Sequence, residues 1–338
     1  MLARPGDVIP ASGAVLKTGK IRGAESQGMM CSARELKLGE DHEGIIELGS
    51  DAVVGTPAAD ALALEPVIDI ALTPNRVDAL GVRGVARDLA AAGLGTMKLI
   101  DAAPVSGGFD SKTSVAMGLP DDKAHLCPHF VGRTISGLTN CESPQWLKDR
   151  LTAIGLRPVS ALVDVTQYIN IDLGRPLHAF DTAKLTGNVG PRLAASGEKI
   201  LALNGVEYEL TDATLVVADD SGPQAIAGVM GGKPSSCNED TTEVFLESAL
   251  FDAITVANTG RALGIVSDAR YCFERGVDPA STLNGAEIAT RMILDICGGE
   301  ASHLVIGGAA PLAGDVVSFR PHRVAQLGGV LLSSAAIQ

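Results

Sequence analysis

Glu247 stands in an apolar run, Phe245-Leu246-Glu247-Ser248-Ala249, and at the period of a strand it shares a face with Phe245 and Ala249. A carboxylate on a buried face is costly unless something donates a hydrogen bond to it. Its partner is therefore either structural, such as Arg275, or a ligand. His178 follows a proline turn in Arg175-Pro176-Leu177-His178-Ala179-Phe180-Asp181. With an ordinary pKa near ~6.5 it can orient or deprotonate a water, or simply hold a structural hydrogen bond. Gly228-Val229-Met230-Gly231-Gly232 lacks the Lys-Ser/Thr pair that ends a phosphate loop, so it reads as a strand and turn. Gly264-Ile265-Val266-Ser267-Asp268-Ala269 is the fourth piece of note. His125, Cys127 and His129 alternate and on a strand would offer three zinc-type side chains to one face. Pro128 interrupts that run and no fourth ligand follows at a suitable spacing, whereas closed structural sites need four, so no metal is assigned. Cys31, Cys141 and Cys237 have no base beside them in sequence, and only the fold can bring one close.

The elements that must position these residues are legible in part. Residues 1–62 alternate short apolar pieces with glycine turns, at Gly19–Gly23 and Glu43–Gly49, and read as a small β domain that begins without an obvious first strand. Val67–Leu72 reads as an apolar strand, followed by the turn Thr73-Pro74-Asn75 and a helix carrying Leu80, Val85 and Leu89 that ends near Gly93. Residues 94–120, rich in Gly, Pro, Ser and Asp, read as a linker or loose loop, so 63–120 form a small α/β segment plus linker. In 121–312, Ser143-Pro144 opens a helix over Leu147, Leu151 and Ile154 that Gly155 closes. Ile200–Leu203 and Val206–Leu210 flank Asn204-Gly205, a hairpin with a primed turn. Thr214–Ala218, Ala225–Gly228 and Val244–Ala249 are further strands, and Asp252–Leu263 and Ala286–Cys297 are helices stopped by glycine. Strands and helices mix without a βαβ rhythm, which makes the fold class α+β. A helix start at Arg320–Leu327 places the opening of a further domain in 313–338.

Composition narrows the functions. The 338 residues are 46% hydrophobic, which excludes a disordered chain, and no apolar run reaches the ~18 residues of a membrane span. The first twenty residues do not resemble a secretory signal, so the expected compartment is the cytoplasm. Six scattered cysteines suit reduced thiols. A net charge of −13 restricts any nucleic-acid contact to a local patch, and eleven aromatic residues argue against a stacked single-strand binder.

Together the motifs resemble the beta subunit of bacterial phenylalanyl-tRNA synthetase. The matching pieces are Ser26–Ser32, Thr73–Arg76, Val163-Asp164-Val165-Thr166, Gly174–Asp181, Ala227–Gly232, Leu246–Ala249 and Phe273-Glu274-Arg275-Gly276-Val277-Asp278-Pro279, collinear along nearly the whole chain. The resemblance implies a partial oligonucleotide-binding-type β domain in 1–62, with Gly28, Met29 and Ser32 in its tRNA-binding signature. Nine acidic against six basic residues over 1–60 make that a weak RNA binder by charge. It implies that 121–312 is a mixed α+β editing domain that hydrolyses tyrosine wrongly attached to phenylalanine tRNA. Glu247 then grips the tyrosine hydroxyl and Gly228 and Gly231 form the wall beside it. Ser267 and Ala269 form the opposite wall, Ser160 lies on the polar rim, and His178 and Arg157 sit near the ester and terminal adenosine. The family's synthetic site is on its alpha subunit, so this chain alone would edit and not synthesise.

The implied partners are tRNA(Phe) and the alpha subunit in a heterotetramer, with no DNA and no membrane. No cofactor is implied for this chain, while the complete enzyme uses ATP and Mg2+. The sequence departs from the family at Ser160-Ala161, where an Asn pair is frequent, at Gln167, where Asn is frequent, and at Cys272, where Arg is frequent. Two other readings stay open: a tRNA-binding and assembly scaffold with an inactive pocket, and a metal-dependent hydrolase using His125, Cys127 and His129.

Overall fold

A computed structural model describes residues 1–39, 41–62, 64, 66–311 and 318–337. The expected boundaries after residues 62 and 312 fall at positions outside that set. Near the N-terminus, β1 (Leu2–Ala3) pairs across the chain, while β2 (Gly19–Ile21) and β3 (Ala24–Ser26) form a hairpin. The partner of β1 is β4 (Met29–Met30), antiparallel. Ala3, Ile9 and Cys31 are buried together beneath Leu16, Met29 and Leu36. Glu43–Gly49 adds no strand; it is strapped on by Ile46, whose N–H donates to the Cys31 carbonyl at 2.9 Å.

Between the two regions lie α1 (Ala58–Ala61) and α2 (Val82–Ala91), the latter ending as expected before Gly93. The expected strand Val67–Leu72 is not formed: the segment has no regular secondary structure and no ladder partner among the described residues, and Ile68 is 82% exposed. An apolar run fixes no strand without a neighbour to complete the ladder. Residues 94–120 are not the loose loop expected, either. The Val105 N–H donates to Glu287 Oε2 at 2.8 Å, Phe109 bridges Ser302, and Val115 bridges Val189. Tertiary hydrogen bonds hold a segment whose composition alone marks a linker.

The remaining elements are β5 (His129–Ser136), α3 (Gln145–Ala153), α4 (Ala161–Leu173), β6 (His178–Asp181), β7 (Gly190–Leu193), β8 (Lys199–Leu201) and β9 (Glu207–Glu209). Then come β10 (Leu215–Asp219), β11 (Gly222–Ile226), β12 (Met230–Gly231), β13 (Glu243–Leu250), α5 (Ala253–Leu263), α6 (Asp268–Phe273) and α7 (Ser281–Cys297). β14 (Glu300–Ala301), β15 (Val305–Gly308), α8 (His322–Gly328) and α9 (Ser334–Ile337) complete the described chain. The fold is α+β.

The central sheet has the order β14-β5-β13-β6, with β15 also pairing with β5. β5 and β13 pair antiparallel over eight residues, from Glu243 opposite Ser136 to Leu250 opposite His129. Strand alternation divides β13 between two cores. Val244 and Leu246 pack with Ile135 and with Leu147, Leu151, Leu162, Val165 and Ile293 of the helices. Phe245 and Ala249 face Phe130, Phe180 and the second sheet, β12-β11-β10-β7. Helices thus cover one face of the central sheet and the second sheet covers the other, with Glu247 between the sheets.

Two local expectations need correction, and one helix stands where the sequence reading placed no element. α4 carries Val163, Val165, Thr166, Ile169 and Ile171, and the many β-branched residues mask a helix that tertiary packing supports. Ser143 does not cap α3: its hydroxyl donates to Asp164 Oδ2 at 2.6 Å, and Pro144 stands at the cap. The Asn204-Gly205 hairpin forms, but only Gly205 has positive φ (79°), and its N–H donates to the Ala202 carbonyl. That is an ordinary turn with a glycine bulge, which tolerates Asn204 in a right-handed conformation.

Candidate functional site

Glu247 sits at the middle of the central sheet, opposite Gly132 on one side and His178 on the other. It is 6% exposed, and among the described residues no group donates a hydrogen bond to its carboxylate. Burial pushes its pKa up to about 8, against which the positive charge of Arg175 pulls downward. Arg275 is not its partner. That guanidinium pairs with Glu274 Oε1 at 2.9 Å and lies 3.7 Å from the Tyr271 ring centroid. The nearby cation is Arg175, a residue whose burial nothing in the sequence signals.

His178 packs edge-on against Phe180, with ring centroids 4.4 Å apart. Its Nε2 is shielded from solvent without a partner among the described residues, and burial lowers its pKa to about 4. The imidazole is neutral at pH 7 and a weak base. It is better suited to orienting a water than to deprotonating one.

Gly231 lies flush against that ring: a Cβ there would come 2.4 Å from His178 Cε1 and 3.0 Å from Leu203 Cδ1. Gly228, with φ of +68°, turns within the core, where a Cβ would meet Val256 Cγ2 at 2.8 Å. The two glycines differ in their surroundings: Gly231 borders His178, and Gly228 packs against Val256, Phe251 and Phe273. Ser267 caps α6 by accepting from the Arg270 N–H and donates its own hydroxyl to the Val229 carbonyl at 2.6 Å. Ala269 follows in the first turn of α6, so this helix start is tied to the Gly228–Gly232 turn.

The structure does not join every expected residue to this group. Arg157 is exposed, in the loop between α3 and α4, and makes no hydrogen bond or ion pair among the described residues. Ser160 stands at the N-cap of α4 without a side-chain cap bond. Asp164, fully buried, holds their loop, its Oδ1 accepting from the Val159 N–H at 2.8 Å and its Oδ2 from Ser143. Cys272 is buried and its thiol donates to Asn170 Oδ1 at 3.3 Å. Gln167 Oε1 is buried with no partner among the described residues. Two cavities, of about 690 and 490 Å3, lie along α3 and include Trp146, and neither is lined by Glu247 or His178.

The metal reading loses its geometry. His125 is exposed in a helical turn, Cys127 is buried with its thiol toward the His129 carbonyl, and His129 opens β5. Among the described residues no group of three or more His, Cys, Asp or Glu is placed to hold a metal ion. No helix among them is long and apolar enough to cross a membrane.

In the N-terminal region Gly28 packs so closely that a Cβ would lie 2.8 Å from Leu2 Cδ1. Met29 pairs with Ala3. Ser32 is buried and forms a reciprocal capping pair: its hydroxyl and N–H donate to Glu35 Oε2 at 2.9 and 2.7 Å, and the Glu35 N–H returns to Ser32 Oγ. These contacts are internal to the small β region.

The profile of the B3/4 domain covers residues 126–298, the two-sheet region that holds Glu247. The phenylalanine–tRNA ligase beta subunit of Paramagnetospirillum magneticum is 56% identical over 338 residues, all of this chain and 42% of the relative. That of Rhodospirillum rubrum is 58% identical over 335 residues, 99% of this chain and 42% of the relative. An N-terminal fragment of the phenylalanyl-tRNA synthetase beta-subunit from Pyrococcus horikoshii aligns with 15% identity and a TM-score of 0.37, over 78% of this chain and 72% of that one. The chain spans about two fifths of the length of these two bacterial relatives. It belongs to the B3/4-domain family and is similar along its whole length to that part of the phenylalanine–tRNA ligase beta subunit.

Proposed function

We propose that this chain is the part of an aminoacyl-tRNA synthetase beta subunit that hydrolyses tyrosine from mischarged tRNA(Phe). In this reading the complete alpha–beta enzyme, a cytoplasmic heterotetramer, attaches phenylalanine with ATP and Mg2+ at the alpha subunit's synthetic site. One observation carries the editing role: Glu247 is 6% exposed, lies between the sheets and accepts no hydrogen bond among the described residues. A phenol hydroxyl supplies that donor and a phenylalanine ring does not. A buried acceptor left unpaired penalises the wrong ligand, and sites of this kind discriminate by up to ~10⁴–10⁵.

The ester needs little machinery, because an aminoacyl ester is already activated. A positioned water attacks the carbonyl carbon, and the bond to the ribose oxygen breaks to give free tyrosine and tRNA. Neutral His178, opposite Glu247 on β6, orients that water through its unpartnered Nε2. Gly231 keeps the space beside the imidazole free of side chain. Gly28, Met29 and Ser32 would then shape the small β region that meets tRNA.

The test is deacylation of Tyr-tRNA(Phe) and Phe-tRNA(Phe) by the chain and by Glu247→Ala. Selective tyrosine release that Glu247→Ala lowers about tenfold, the worth of one buried hydrogen bond to the carboxyl, supports the reading. Binding of tRNA without release assigns the chain a scaffold role instead.

A further inference from the structure

His178 Nε2 has to meet a water or a ligand atom to act, yet it is closed off from solvent. The residue as a whole is half-buried, while Nε2 is shielded and has no partner among the described residues. A shielded polar atom gains free energy when a hydrogen-bonding group reaches it, so its neighbours decide when that happens. A Cβ on Gly231 would lie 2.4 Å from His178 Cε1, 2.9 Å from Nε2 and 3.0 Å from Leu203 Cδ1. The imidazole and the leucine methyl therefore crowd one point on the face of Gly231. Phe180, edge-on against the same ring, is fully buried, and Gly231 has no side chain to move. Leu203 is the neighbour that reaches solvent, being 48% exposed.

Leu203 sits in the turn of the β8–β9 hairpin, and its main chain is anchored. Its N–H donates to the Gly231 carbonyl at 3.0 Å, and the Lys233 N–H donates to the Leu201 carbonyl at 2.8 Å. Ala202 bridges Gly232, and Ile200 and Leu210 are buried in the core beneath. Alternation along this edge turns Leu201 and Leu203 outward, away from the side of the buried Ile200 and Ala202. The hairpin backbone is thus held on the strand that carries Gly231. The Leu203 side chain, open to water on one side, changes rotamer without disturbing it.

We propose that Leu203 is a gating residue of this site: turned inward it closes His178 Nε2, and turned outward it admits the group that Nε2 holds, a water molecule or an ester oxygen. That this group belongs to the hydrolysis of an aminoacyl ester rests on the editing reading above; the relation between Leu203 and His178 does not.

The experiment measures how fast diethyl pyrocarbonate acylates each histidine of the 338-residue chain near neutral pH. Peptide mass spectrometry identifies the residue, and two-bond 1H–15N spectra of the 15N-histidine chain identify the ring nitrogen. Burial lowers the His178 pKa to about 4, so its ring is neutral under these conditions and protonation does not hold the rate down. Exposed His125 and buried His129 serve as references for an open and a closed ring. A gate open for ~0.1–10% of the time slows the reagent at least about tenfold relative to an open ring. The His178 Nε2 rate should therefore lie about tenfold or more below that of His125, and Leu203→Ala should raise it by about tenfold while Leu203→Met stays near the unaltered chain. His125 and His129 should not change. An unmoved Nε2 rate in Leu203→Ala overturns the proposal, as does fast acylation of Nε2 in the unaltered chain. A parallel rise at His129 also overturns it, because the fold rather than the gate has then opened. If the rates move as expected but the unaltered chain releases no tyrosine from Tyr-tRNA(Phe), the editing reading fails and the gate stands. If tyrosine is released and the Nε2 rate stays, the gate fails and the editing reading stands.

Discussion

Glu247→Gln should stabilise the protein while removing its charge, and the gain should grow with pH. The carboxyl has an ordinary pKa of 4.5 and burial lifts it to about 8 in the folded chain. The folded state therefore binds a proton that the unfolded state has released over that window, and stability falls as pH rises from about 4.5 to about 8. Each pH unit is worth about 1.4 kcal/mol, so the loss nears roughly 3 kcal/mol at pH 7 and levels off near 5 kcal/mol above pH 8. Glutamine is nearly isosteric and cannot ionise, so the variant should lack this slope. The assay is urea unfolding of both proteins at matched pH values between 5 and 9, comparing midpoints at constant m. The expected result is near-equality at pH 5 and a widening advantage for Glu247→Gln toward pH 8. A difference that does not vary with pH would refute the premise that a solvent-starved, donor-free carboxylate lies between the sheets.

Other outcomes follow from the same geometry. Gly231→Ala places a methyl 2.4 Å from His178 Cε1, so the imidazole must shift; overpacking of this kind costs about 1–3 kcal/mol by denaturant unfolding, and tyrosine release should fall with it. His178→Ala should slow deacylation only moderately, because a base with a pKa of about 4 contributes orientation more than proton abstraction; complete loss would restore a general-base role. Asp164→Ala removes the acceptor for both Ser143 Oγ and the Val159 N–H and should cost about 2–4 kcal/mol in thermal or denaturant unfolding. Burial raises the thiol pKa at Cys127, and to about 12 at Cys237, 11 at Cys272 and 12 at Cys297, so these four should react slowly with a thiol reagent at neutral pH and promptly in denaturant.

Sequence alone determined what local chemistry can encode. Period-two alternation put Glu247 on the face of Phe245 and Ala249, glycine and aspartate bounded α5, and the order of the motifs carried the family. It misjudged elements whose state depends on distant partners, the unpaired Val67–Leu72 and residues 94–120, fastened by Arg133, Glu287 and Ser302, and it left unread the helix α4 with its many β-branched residues. It also named Arg275 as a possible partner for Glu247, because linear distance gave no reason to choose Arg175. Only the tertiary structure decided which charges meet. Burial and hydrogen-bond satisfaction are properties of residues brought together from far along the chain, as Arg175, Ser248 and Thr282 are here, and no local pattern records them.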